Sequence, residues 1–379
     1  MTAVTAPPVL RIGPLAVDPP VVLAPMAGVT DAAYRRLCRS YGAGLYVSEM
    51  VSARALVEQD VNSERRISCG EDESVRSIQL YGVDPATVAQ AVAHLVGEVG
   101  IDHVDLNMGC PSPKVTRRGG GAALPVRRRL VGAIVAAAVR AAGDVPVTVK
   151  MRKGVDDAHL TYLDAARSAR DAGAAAVALH ARTAEQLYSG TADWSAIATL
   201  KQAVTDLPVL GNGDVWQAGD ALEMVRQTGC DGVVVGRGCL GRPWLFRDLA
   251  DAFAGRPVAP PPLLGEVVDV MRTHVRLLVE HRGDELYGCK DFRKHVGWYL
   301  TGYRVGGPRR RDLSQVSSIA QVDALLAELD PLAPLPAESL RAPRGHTHGP
   351  KPVSLPEGWL ASGEDDAVPD GADVWTSGG

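Results

Sequence analysis

The sequence predicts an α/β fold, a (β/α)8 TIM barrel followed by a small all-helical C-terminal domain. Eight short runs rich in valine, isoleucine and leucine alternate with longer, alanine-rich segments of helical spacing, all within residues 13–253. Continuous apolar strands that alternate with helices are typical of a parallel sheet whose two faces are both covered by helices. Eight such units in a segment of this length are the number expected of a (β/α)8 barrel.

Each predicted strand is short and is bounded by turn residues. The runs are VVLAPM (from Val21), LYVSEM (Leu45), SIQLYG (Ser77), HVDLNMG (His103), PVTVKMR (Pro146), AVALHAR (Ala176), PVLGNGD (Pro208) and GVVVGRG (Gly232). The segments between them, such as PATVAQAVAHLVGEV and AGDALEMVRQTG, repeat apolar residues at helical spacing. A doubly wound sheet is the structural alternative. It is expected to carry GxGxxG after the first strand, and APMAGVTD lacks that pattern.

Changes in composition divide the chain into five parts. Residues 1–12 are expected to form a mobile N-terminal tail, and residues 13–253 the barrel. The proline-rich AGRPVAPPPLLG predicts a semi-rigid linker over residues 254–263. Residues 264–340 keep helical spacing without further strand-like runs, which predicts the helical domain. Residues 341–379 are rich in proline, glycine and aspartate, which predicts a disordered tail.

Composition and charge exclude several classes of protein. The formal net charge of −4 means that a polyanionic partner must meet local basic patches and not a global positive field. No stretch reaches the roughly 18 apolar residues of a membrane span, and the N-terminus lacks the pattern of a signal peptide. The six cysteines form no CxxC pair, which argues against a disulfide scaffold and a zinc site. We therefore expect a cytoplasmic protein without a metal site. The oligomeric state stays open, with a monomer as the default expectation.

Polar or glycine-rich residues follow nearly every predicted strand. In barrels of this kind the carboxyl ends of the strands carry the catalytic groups. In chain order these ends carry Pro25-Met26-Ala27, Ser48-Glu49, Gln79, Asn107 with Cys110, Lys150 with Arg152, His180 with Arg182, Asn212-Gly213-Asp214 and Gly236-Arg237-Gly238. Because the strand ends meet at one mouth, these residues predict a single active site.

The last two strand ends predict a phosphate site. Loops after the seventh and eighth barrel strands commonly bind phosphate through backbone N–H groups and a short helix. GNGD and GRGCLGRPW supply small residues for close backbone approach, and Arg237 supplies charge. These features alone do not distinguish flavin mononucleotide (FMN) from a sugar phosphate.

Two side chains favour a flavin, with the apolar APMA turn lying under its ring. The amide of Gln79 both donates and accepts, so it matches the pyrimidine edge of the ring. Lys150 near the N1 and O2 side would stabilise an anionic reduced ring electrostatically.

Seven motifs, taken in order, resemble those of tRNA-dihydrouridine synthases. They are APMAGVTD, QLYG, DLNMGCPSPKV, VKMRKG, HARTAEQLYSGTADW, GNGD and GRGCLGRPW. The later CKDFRKHVGWYLTGY resembles the tRNA-binding helical domain of the bacterial DusB-like branch. Each motif alone is weak, whereas the ordered set is specific and covers roughly residues 10–330. The family often has a serine in the stretch after the cysteine, where this chain has Ala122.

The resemblance implies an FMN-dependent oxidoreductase that takes its electrons from NADPH. It makes Cys110 the proton donor and Asn107 a substrate-positioning residue, and we expect Arg182 at the same mouth to share that task. The residues implied to bind FMN are Pro25, Met26, Ala27, Gln79, Lys150, His180, Asn212, Gly213, Asp214, Gly236 and Arg237.

Reduction of uracil would give Cys110 a specific task. Hydride from the flavin adds at C6, because the C4 carbonyl withdraws electrons from the C5=C6 bond, and C5 then takes a proton. A free thiol has a pKa of about 8.5 and is mostly protonated at neutral pH, so Cys110 can donate this proton. Gly119, Gly120 and Gly121 are expected to give the loop that carries Cys110, residues 109–123 and here called the cysteine loop, the freedom of a hinge.

Basic residues at two places predict contacts with tRNA. The target uridine, expected in the D-loop, must leave its stack, and contacts to neighbouring nucleotides must offset that cost. In the helical domain, cations alternate with Trp298, Tyr299 and Tyr303, a composition that suits recognition of RNA by charge and stacking. The predicted tRNA-binding residues are Lys114, Arg117, Arg118, Lys290, Arg293, Lys294 and Arg304, with His295 and residues 309–311 in the same basic stretch.

Two other functions remain open at this stage. An FMN-barrel ene-reductase, or an enzyme like dihydroorotate dehydrogenase, would act on a small molecule and would not require the basic, aromatic helical domain. A non-catalytic RNA-binding protein built on an inactive barrel would need no flavin, and the set Gln79, Asn107, Cys110 and Lys150 argues against it. The uridine position and the choice between NADPH and NADH are not fixed by the sequence.

Overall fold

The computed structural model describes residues 9–345, 349–361 and 363–369, and its body is a closed barrel. Two short strands, β1 (Leu10–Ile12) and β2 (Leu15–Val17), precede the barrel and pair antiparallel. The barrel strands are β3 (Val21–Leu23), β4 (Leu45–Ser52), β5 (Ser77–Tyr81), β6 (His103–Met108), β7 (Val147–Arg152), β8 (Ala176–His180), β9 (Val209–Asn212) and β10 (Gly232–Val235). Neighbouring strands are parallel, and β10 pairs with β3 to close the barrel. All eight predicted strands and the predicted fold class are confirmed.

Helices follow the barrel strands, and most of them pack on the outer faces of the barrel. They are α1 (Ala32–Arg39), α2 (Ala53–Val57), α3 (Val61–Arg66), α4 (Pro85–His94), α5 (Pro113–Thr116), α6 (Arg128–Ala142), α7 (Tyr162–Asp171), α8 (Trp194–Ala203), α9 (Ala218–Thr228) and α10 (Leu245–Phe253). A π-helical turn (Leu95–Val99) extends α4, and 3-10 turns cover Gly121–Val126 and Arg237–Cys239. Short polar side chains fix several helix starts: Asp31 accepts from the backbone N–H of Tyr34 at the start of α1.

The interior of the barrel is divided into an apolar half and a polar half. Inward residues of β8, β9, β10, β3 and β4 form an apolar cluster: Val22, Ala24, Leu45, Val47, Ala176, Ala178, Leu210 and Val234. Alternate positions of the other three strands are polar: Ser77 and Gln79 of β5, His103 and Asp105 of β6, and Thr148 and Lys150 of β7. Because a strand alternates between its two faces, one face of β5, β6 and β7 carries these polar groups into the core. The other face packs under the surrounding helices.

The antiparallel pair β1–β2 corrects the prediction of a mobile tail over residues 1–12. Leu10 and Ile12 are only 3% and 1% exposed, and with Val17 they pack against the apolar half of the barrel interior. A strand of three residues is too short to show a period, so its burial was not visible in the sequence. Residues 1–8 lie outside the described part of the chain.

Four further helices follow the barrel: α11 (Leu264–Arg282), α12 (Glu285–Tyr299), α13 (Gly307–Leu313) and α14 (Ile319–Ala327). Neither helix nor strand is assigned over the predicted linker 254–263. The helical region packs on α1 through buried rings, among which Tyr34 stacks on His295 at a ring-centroid distance of 5.7 Å. The hydroxyl of Tyr299 hydrogen-bonds His274 Nδ1 at 2.9 Å. These contacts place one face of α12 close to the barrel.

The tail over residues 341–379 was predicted to be disordered, but two large side chains of its described part are buried. Arg344 is 2% exposed and donates to the carbonyl of Leu240 at 3.0 Å. Trp359, within a 3-10 turn, is also 2% exposed. Overall composition predicts disorder because it averages over the segment, whereas a few large side chains suffice to bury it. Residues 346–348, 362 and 370–379 lie outside the description.

The length and apolar character of a helix decide whether it can cross a membrane, and both are known for the described residues. Within them, no helix combines the length and the apolar character needed to cross a bilayer.

Acidification is expected to destabilise the fold through its buried histidines, among them His103, His274 and His295. Burial lowers the pKa of His103 from 6.5 to about 4 and that of His274 to about 3, and burial beside His274 and Lys294 lowers the pKa of His295 well below 6.5. Below pH 6.5 the unfolded chain therefore binds protons that the folded chain does not, at a cost of about 1.4 kcal/mol per pH unit for each histidine. The pKa of Asp105 is instead raised, from 3.8 to about 6. Between these two pH values the folded chain binds a proton that the unfolded chain does not, which offsets the destabilisation from one histidine.

Guanidinium chloride titrations at about pH 7.5 and about pH 5.5 measure this effect, with the unfolding midpoint expected to fall on acidification. The fall should be smaller in His295→Gln, whose side chain does not titrate. Equal midpoints at the two pH values would contradict the assignment of neutral, buried imidazoles.

Candidate active site

A cavity of about 570 Å³ opens at the carboxyl ends of the barrel strands. It is lined by all the residues predicted to be catalytic, substrate-positioning or cofactor-binding: Pro25, Met26, Ala27, Gln79, Asn107, Cys110, Lys150, His180, Arg182, Asn212, Gly213, Asp214, Gly236 and Arg237. Strand β4 contributes Met50 and not the predicted pair Ser48-Glu49. The convergence follows from barrel closure, while the role of each residue stays a prediction.

Asn107 joins the barrel floor to the cysteine loop. Its Nδ2 donates to Gln79 Oε1 at 2.8 Å. Its Oδ1 accepts the backbone N–H of Cys110 at 2.9 Å and that of Gly109 at 3.2 Å. Gln79 Nε2 in turn donates to Asp105 Oδ2 at 2.6 Å. The carboxylate of Asp105 can only accept a hydrogen bond, so it fixes the orientation of the Gln79 amide. The Gln79 oxygen then accepts from Asn107 and fixes the orientation of the Asn107 amide.

The hydrogen-bond chain continues below Asp105 towards the amino ends of the strands. Thr148 Oγ1 donates to Asp105 Oδ1 at 2.6 Å, and His103 Nε2 lies 3.0 Å from Thr148 Oγ1. His103 Nδ1 lies 2.7 Å from Ser77 Oγ. Burial raises the pKa of Asp105 to about 6, although its hydrogen bonds from Thr148 and Gln79 and the charge of Lys150 lower it. The chain satisfies the buried polar groups, which would otherwise destabilise the core.

The cysteine loop is a compact turn and not an open hinge. The backbone N–H of Ala122 donates to the carbonyl of Cys110 at 3.0 Å, which brings the two ends of the loop together. Gly121 has φ +55°, and a Cβ there would lie 2.5 Å from that carbonyl oxygen. Only glycine fits this close approach. The short helix α5 fills the turn, so the glycines predicted to serve as a hinge act here as a close-packed corner.

Burial raises the pKa of the Cys110 thiol above its ordinary value, although the backbone N–H of Ser112 and the charge of Arg152 act in the opposite direction. The thiol is therefore protonated at neutral pH, as a proton donor requires.

Arg152 fastens the cysteine loop to the neighbouring strand end. Its Nε donates to the carbonyl of Gly109 at 2.9 Å, and its Nη1 donates to the carbonyls of Thr183 and Leu187 at 2.8 Å each. The sequence placed Arg152 at the mouth but assigned it no role. The structure shows that it links the loops after β6 and β8.

Lys150 lies at the centre of the cavity floor. Its Nζ donates to Asn212 Oδ1 at 3.2 Å, and Asn212 Nδ2 donates to the carbonyl of Val234 at 2.7 Å. Burial and the nearby charge of Arg152 lower the pKa of Lys150 to about 8, although Asp105 acts in the opposite direction. An anionic group in the cavity would stabilise the ammonium form.

Two arginines form the opposite wall. Arg182 Nη2 donates to both carboxylate oxygens of Asp214, at 2.8 and 2.9 Å, and its Nε donates to the carbonyl of Ser189 at 3.0 Å. Arg237 lies over the ring of Tyr188, 4.2 Å from its centroid. Within the described structure, the Nη1 atoms of both arginines are buried without a hydrogen-bond partner. They are therefore donors available to a ligand in the cavity.

The donor set fits an anionic, phosphate-bearing cofactor. Cationic side chains outnumber acidic ones in the lining, where Asp214 is the single carboxylate among the lining residues described; the cations are Lys150, Arg152, Arg182, Arg237 and Lys294. Burial, together with the charges of Arg152 and Lys150, lowers the pKa of His180 well below 6.5, so its imidazole is neutral. Within the described residues, no group of three or more His, Cys, Asp or Glu side chains is placed to hold a metal ion.

The predicted tRNA-binding residues fall into three groups. Lys114, Arg117 and Arg118 belong to the cysteine loop. Lys290, Lys294 and Arg304 are exposed, and Lys294 also lines the cavity. Arg293 donates to the carbonyls of Val316 and Gln315 at 2.8 and 3.0 Å, so it holds the segment before α14 and is not presented to a partner.

The aromatic residues of α12 need a correction. Tyr299 and Tyr303 were grouped with the RNA-stacking residues, but they are 1% and 3% exposed. The hydroxyl of Tyr303 donates to the carbonyl of Pro262 at 2.6 Å. His295, placed in the basic stretch, is fully buried as well. Trp298 alone of the three aromatic residues reaches the cavity.

Sequence reasoning missed the buried polar residues below the mouth. Asp105, Ser77, His103 and Thr148 alternate with apolar residues along β5, β6 and β7. That alternation inside strands otherwise buried on both faces was the signal available.

Comparisons with known proteins agree with this geometry. A family model described as dihydrouridine synthase (Dus) matches residues 22–332. The probable tRNA-dihydrouridine synthase of Mycobacterium tuberculosis H37Rv is 55% identical over 386 residues, which cover 100% of this chain and 99% of that protein. The tRNA-dihydrouridine synthase B of Pseudomonas aeruginosa is 43% identical over 293 residues, covering 77% of this chain and 87% of that protein. The structure of histamine dehydrogenase from Rhizobium sp. 4-9 aligns with a TM-score of 0.50 and 13% identity, over 85% of this chain and 64% of that chain, and this likeness concerns the fold alone.

The protonated state of Cys110 can be tested directly. Because its pKa is raised by burial, the pH of half-maximal alkylation by iodoacetamide is expected to lie above about 8.5. Peptide mass spectrometry after timed alkylation from pH 6 to pH 10 measures it, with Cys110→Ser as the control that loses the labelled peptide. A half-maximal rate near pH 7 would identify a thiolate instead of an acid.

Proposed function

The chain belongs to the dihydrouridine synthase family and is an oxidoreductase, and on this basis we propose that it reduces a D-loop uridine of tRNA using bound FMN and NADPH. The named relatives support the substrate class, since both are tRNA-dihydrouridine synthases by name. The observation that carries the proposal is the position of the Cys110 thiol beside a cationic cavity that Lys294 and Trp298 of α12 also line. One mouth thus combines an acid, an anion-binding wall and part of the helical region.

The need for a redox cofactor follows from the reaction. Addition of hydrogen across the C5=C6 bond requires a hydride, and no amino-acid side chain supplies one. FMN, when bound, supplies this hydride. The lining residues that would hold it are Lys150 and Gln79 on the floor, and Arg237 with Gly213 and Gly236, which would bind its phosphate.

The side chains of the cavity account for the second half of the reaction. Cys110 holds the proton that C5 of the base requires, and burial keeps that proton on sulfur at neutral pH. Asn107 positions the loop through the backbone N–H of Cys110 and lies beside the base site. Arg182 offers its unpartnered Nη1 to the substrate or to the cofactor.

A stripe on α12 would guide the tRNA to the mouth. Lys290, Lys294 and Trp298 are spaced four residues apart, so they share one face of the helix. The last two line the cavity. In this arrangement the two lysines would contact phosphates of the RNA backbone, and the ring of Trp298 would stack on an unstacked base. We propose that the protein acts as a monomer in the cytoplasm, where its substrate is made.

The decisive experiment is incubation of the purified protein with NADPH and tRNA that lacks dihydrouridine, followed by nucleoside mass spectrometry. Dihydrouridine is expected with the wild-type protein, and Cys110→Ala is expected to lower its rate of formation by about 10²- to 10⁴-fold because the proton donor is lost. Fragment mapping then gives the modified position.

Two controls decide what a negative result means. Cys230→Ala, at a buried thiol that does not line the cavity, should keep the wild-type rate. If the wild-type protein reduces no uridine but its bound flavin is still reduced by NADPH, the small-molecule ene-reductase function replaces this proposal.

The role of the α12 stripe gives a separate prediction. Lys294→Gln is expected to weaken tRNA binding for all tRNA species alike and to reduce the slope of log K against log salt by about 1. Filter binding at several salt concentrations measures this slope. Arg226→Gln serves as the matched control, because Arg226 is 65% exposed on α9 and does not line the cavity. Equal slopes for the wild-type protein and Lys294→Gln would remove Lys294 from the tRNA interface.

A further inference from the structure

A C-terminal segment crosses the cavity side of the barrel beyond the end of the matched family region. The family match ends at residue 332, and residues 349–361 and 363–369, here called the strap, lie after it. The backbone N–H of Lys351 donates to the carbonyl of Glu185 in the loop after β8, at 2.9 Å. Further along, the strap reaches the cysteine loop, so it contacts the loops of two strand ends.

Trp359 is the main contact of the strap with the cysteine loop. Its indole Nε1–H donates to the carbonyl of Ala123 at 2.8 Å, and the side chain is 2% exposed. The guanidinium of Arg127 lies over the indole ring, 4.2 Å from its centroid. A buried tryptophan with a satisfied N–H and a cation on its face is a stable anchor.

The ring of Trp359 also packs closely against Gly119 of the cysteine loop. Gly119 has φ +77°, and a Cβ there would lie 2.5 Å from Trp359 Cη2 and 3.0 Å from Pro369 Cγ. The strap therefore lies in contact with the backbone of Gly119, where any side chain would force it away.

Charge reinforces the contact on the far side of the loop. Glu364 pairs with Arg129 at 2.7 Å and also with Arg128, and Asp365 pairs with Arg127. The backbone N–H of Arg128 donates to the carbonyl of Gly363 at 3.1 Å. The exposed pairs of Glu364 contribute little individually and set the register of the strap, while Trp359 and the partly buried pair Arg127–Asp365 supply most of the attachment.

We propose that Trp359 is a positioning residue for Cys110, and that the strap holds the cysteine loop in the conformation that directs the thiol into the cavity. The path is short. Trp359 holds the carbonyl of Ala123, the preceding residue Ala122 holds the carbonyl of Cys110, and Gly119 is fixed between them. The consequence for catalysis rests on the proposed function, whereas the hold on the loop does not.

The test compares the wild-type protein with Trp359→Ala in the full chain. Cys110 is expected to react with iodoacetamide about five-fold faster or more, because the loop opens more often. Hydrogen exchange of the peptide that contains Ala122 is expected to quicken in parallel. The kcat for dihydrouridine formation is expected to fall by about 10- to 100-fold because the proton donor is misplaced, and KM for tRNA is expected to change less, because the stripe on α12 is intact.

Two further variants separate positioning from general damage. Trp359→Phe keeps an aromatic ring but removes the indole N–H, and it is expected to restore most of the kcat while leaving hydrogen exchange faster than in the wild-type protein. Leu360→Ala changes the neighbouring residue, which is 40% exposed, and is expected to match the wild-type protein in every measurement.

Each result decides the proposal. Wild-type alkylation and exchange rates in Trp359→Ala would show that the strap does not hold the loop. Faster alkylation with an unchanged kcat would show that the hold has no part in catalysis. If the wild-type protein forms no dihydrouridine, the proposed function fails, and alkylation and exchange alone still establish or overturn the hold.

Discussion

The pairing of β10 with β3 is the constraint on which the rest of the molecule depends. Once the sheet is closed, every strand has two neighbours, and its carboxyl end can only point to the common mouth. Residues far apart in the sequence, such as Gln79, Lys150 and Arg237, then line one cavity. Closure also buries the inward side chains of all eight strands, so the polar ones must find partners within the barrel.

The inward polar side chains find their partners in one hydrogen-bonded series, and this series links the proposed flavin site to the proposed proton donor. Asp105 orients Gln79, Gln79 orients Asn107, and Asn107 accepts the backbone N–H of Cys110. The amide that faces the proposed flavin is thus tied to the loop that carries the proposed acid. A change deep in the barrel floor reaches both through three hydrogen bonds.

Sequence reasoning found the barrel and the lining of its mouth, because both follow from regular patterns. Parallel strands covered on both sides appear as continuous apolar runs, and a polar residue that ends such a run must lie at the mouth. Three features lay outside those patterns. The strand Leu10–Ile12 is too short for a period, Trp359 acts as a single anchor in a polar segment, and Tyr299 is buried by packing between helices that no local pattern encodes.

The antiparallel pair β1–β2 lies at the amino ends of the barrel strands. There the side chain of Leu10 lies close to Gly232, and Gly13 lies close to the side chain of Pro146. It closes the lower end of the barrel with apolar side chains. The cavity opens at the opposite end, at the carboxyl ends of the strands, where Lys294 and Trp298 of α12 line it. In the proposed reaction a reductant and a folded RNA would both use this opening, so the two could not occupy it at the same time.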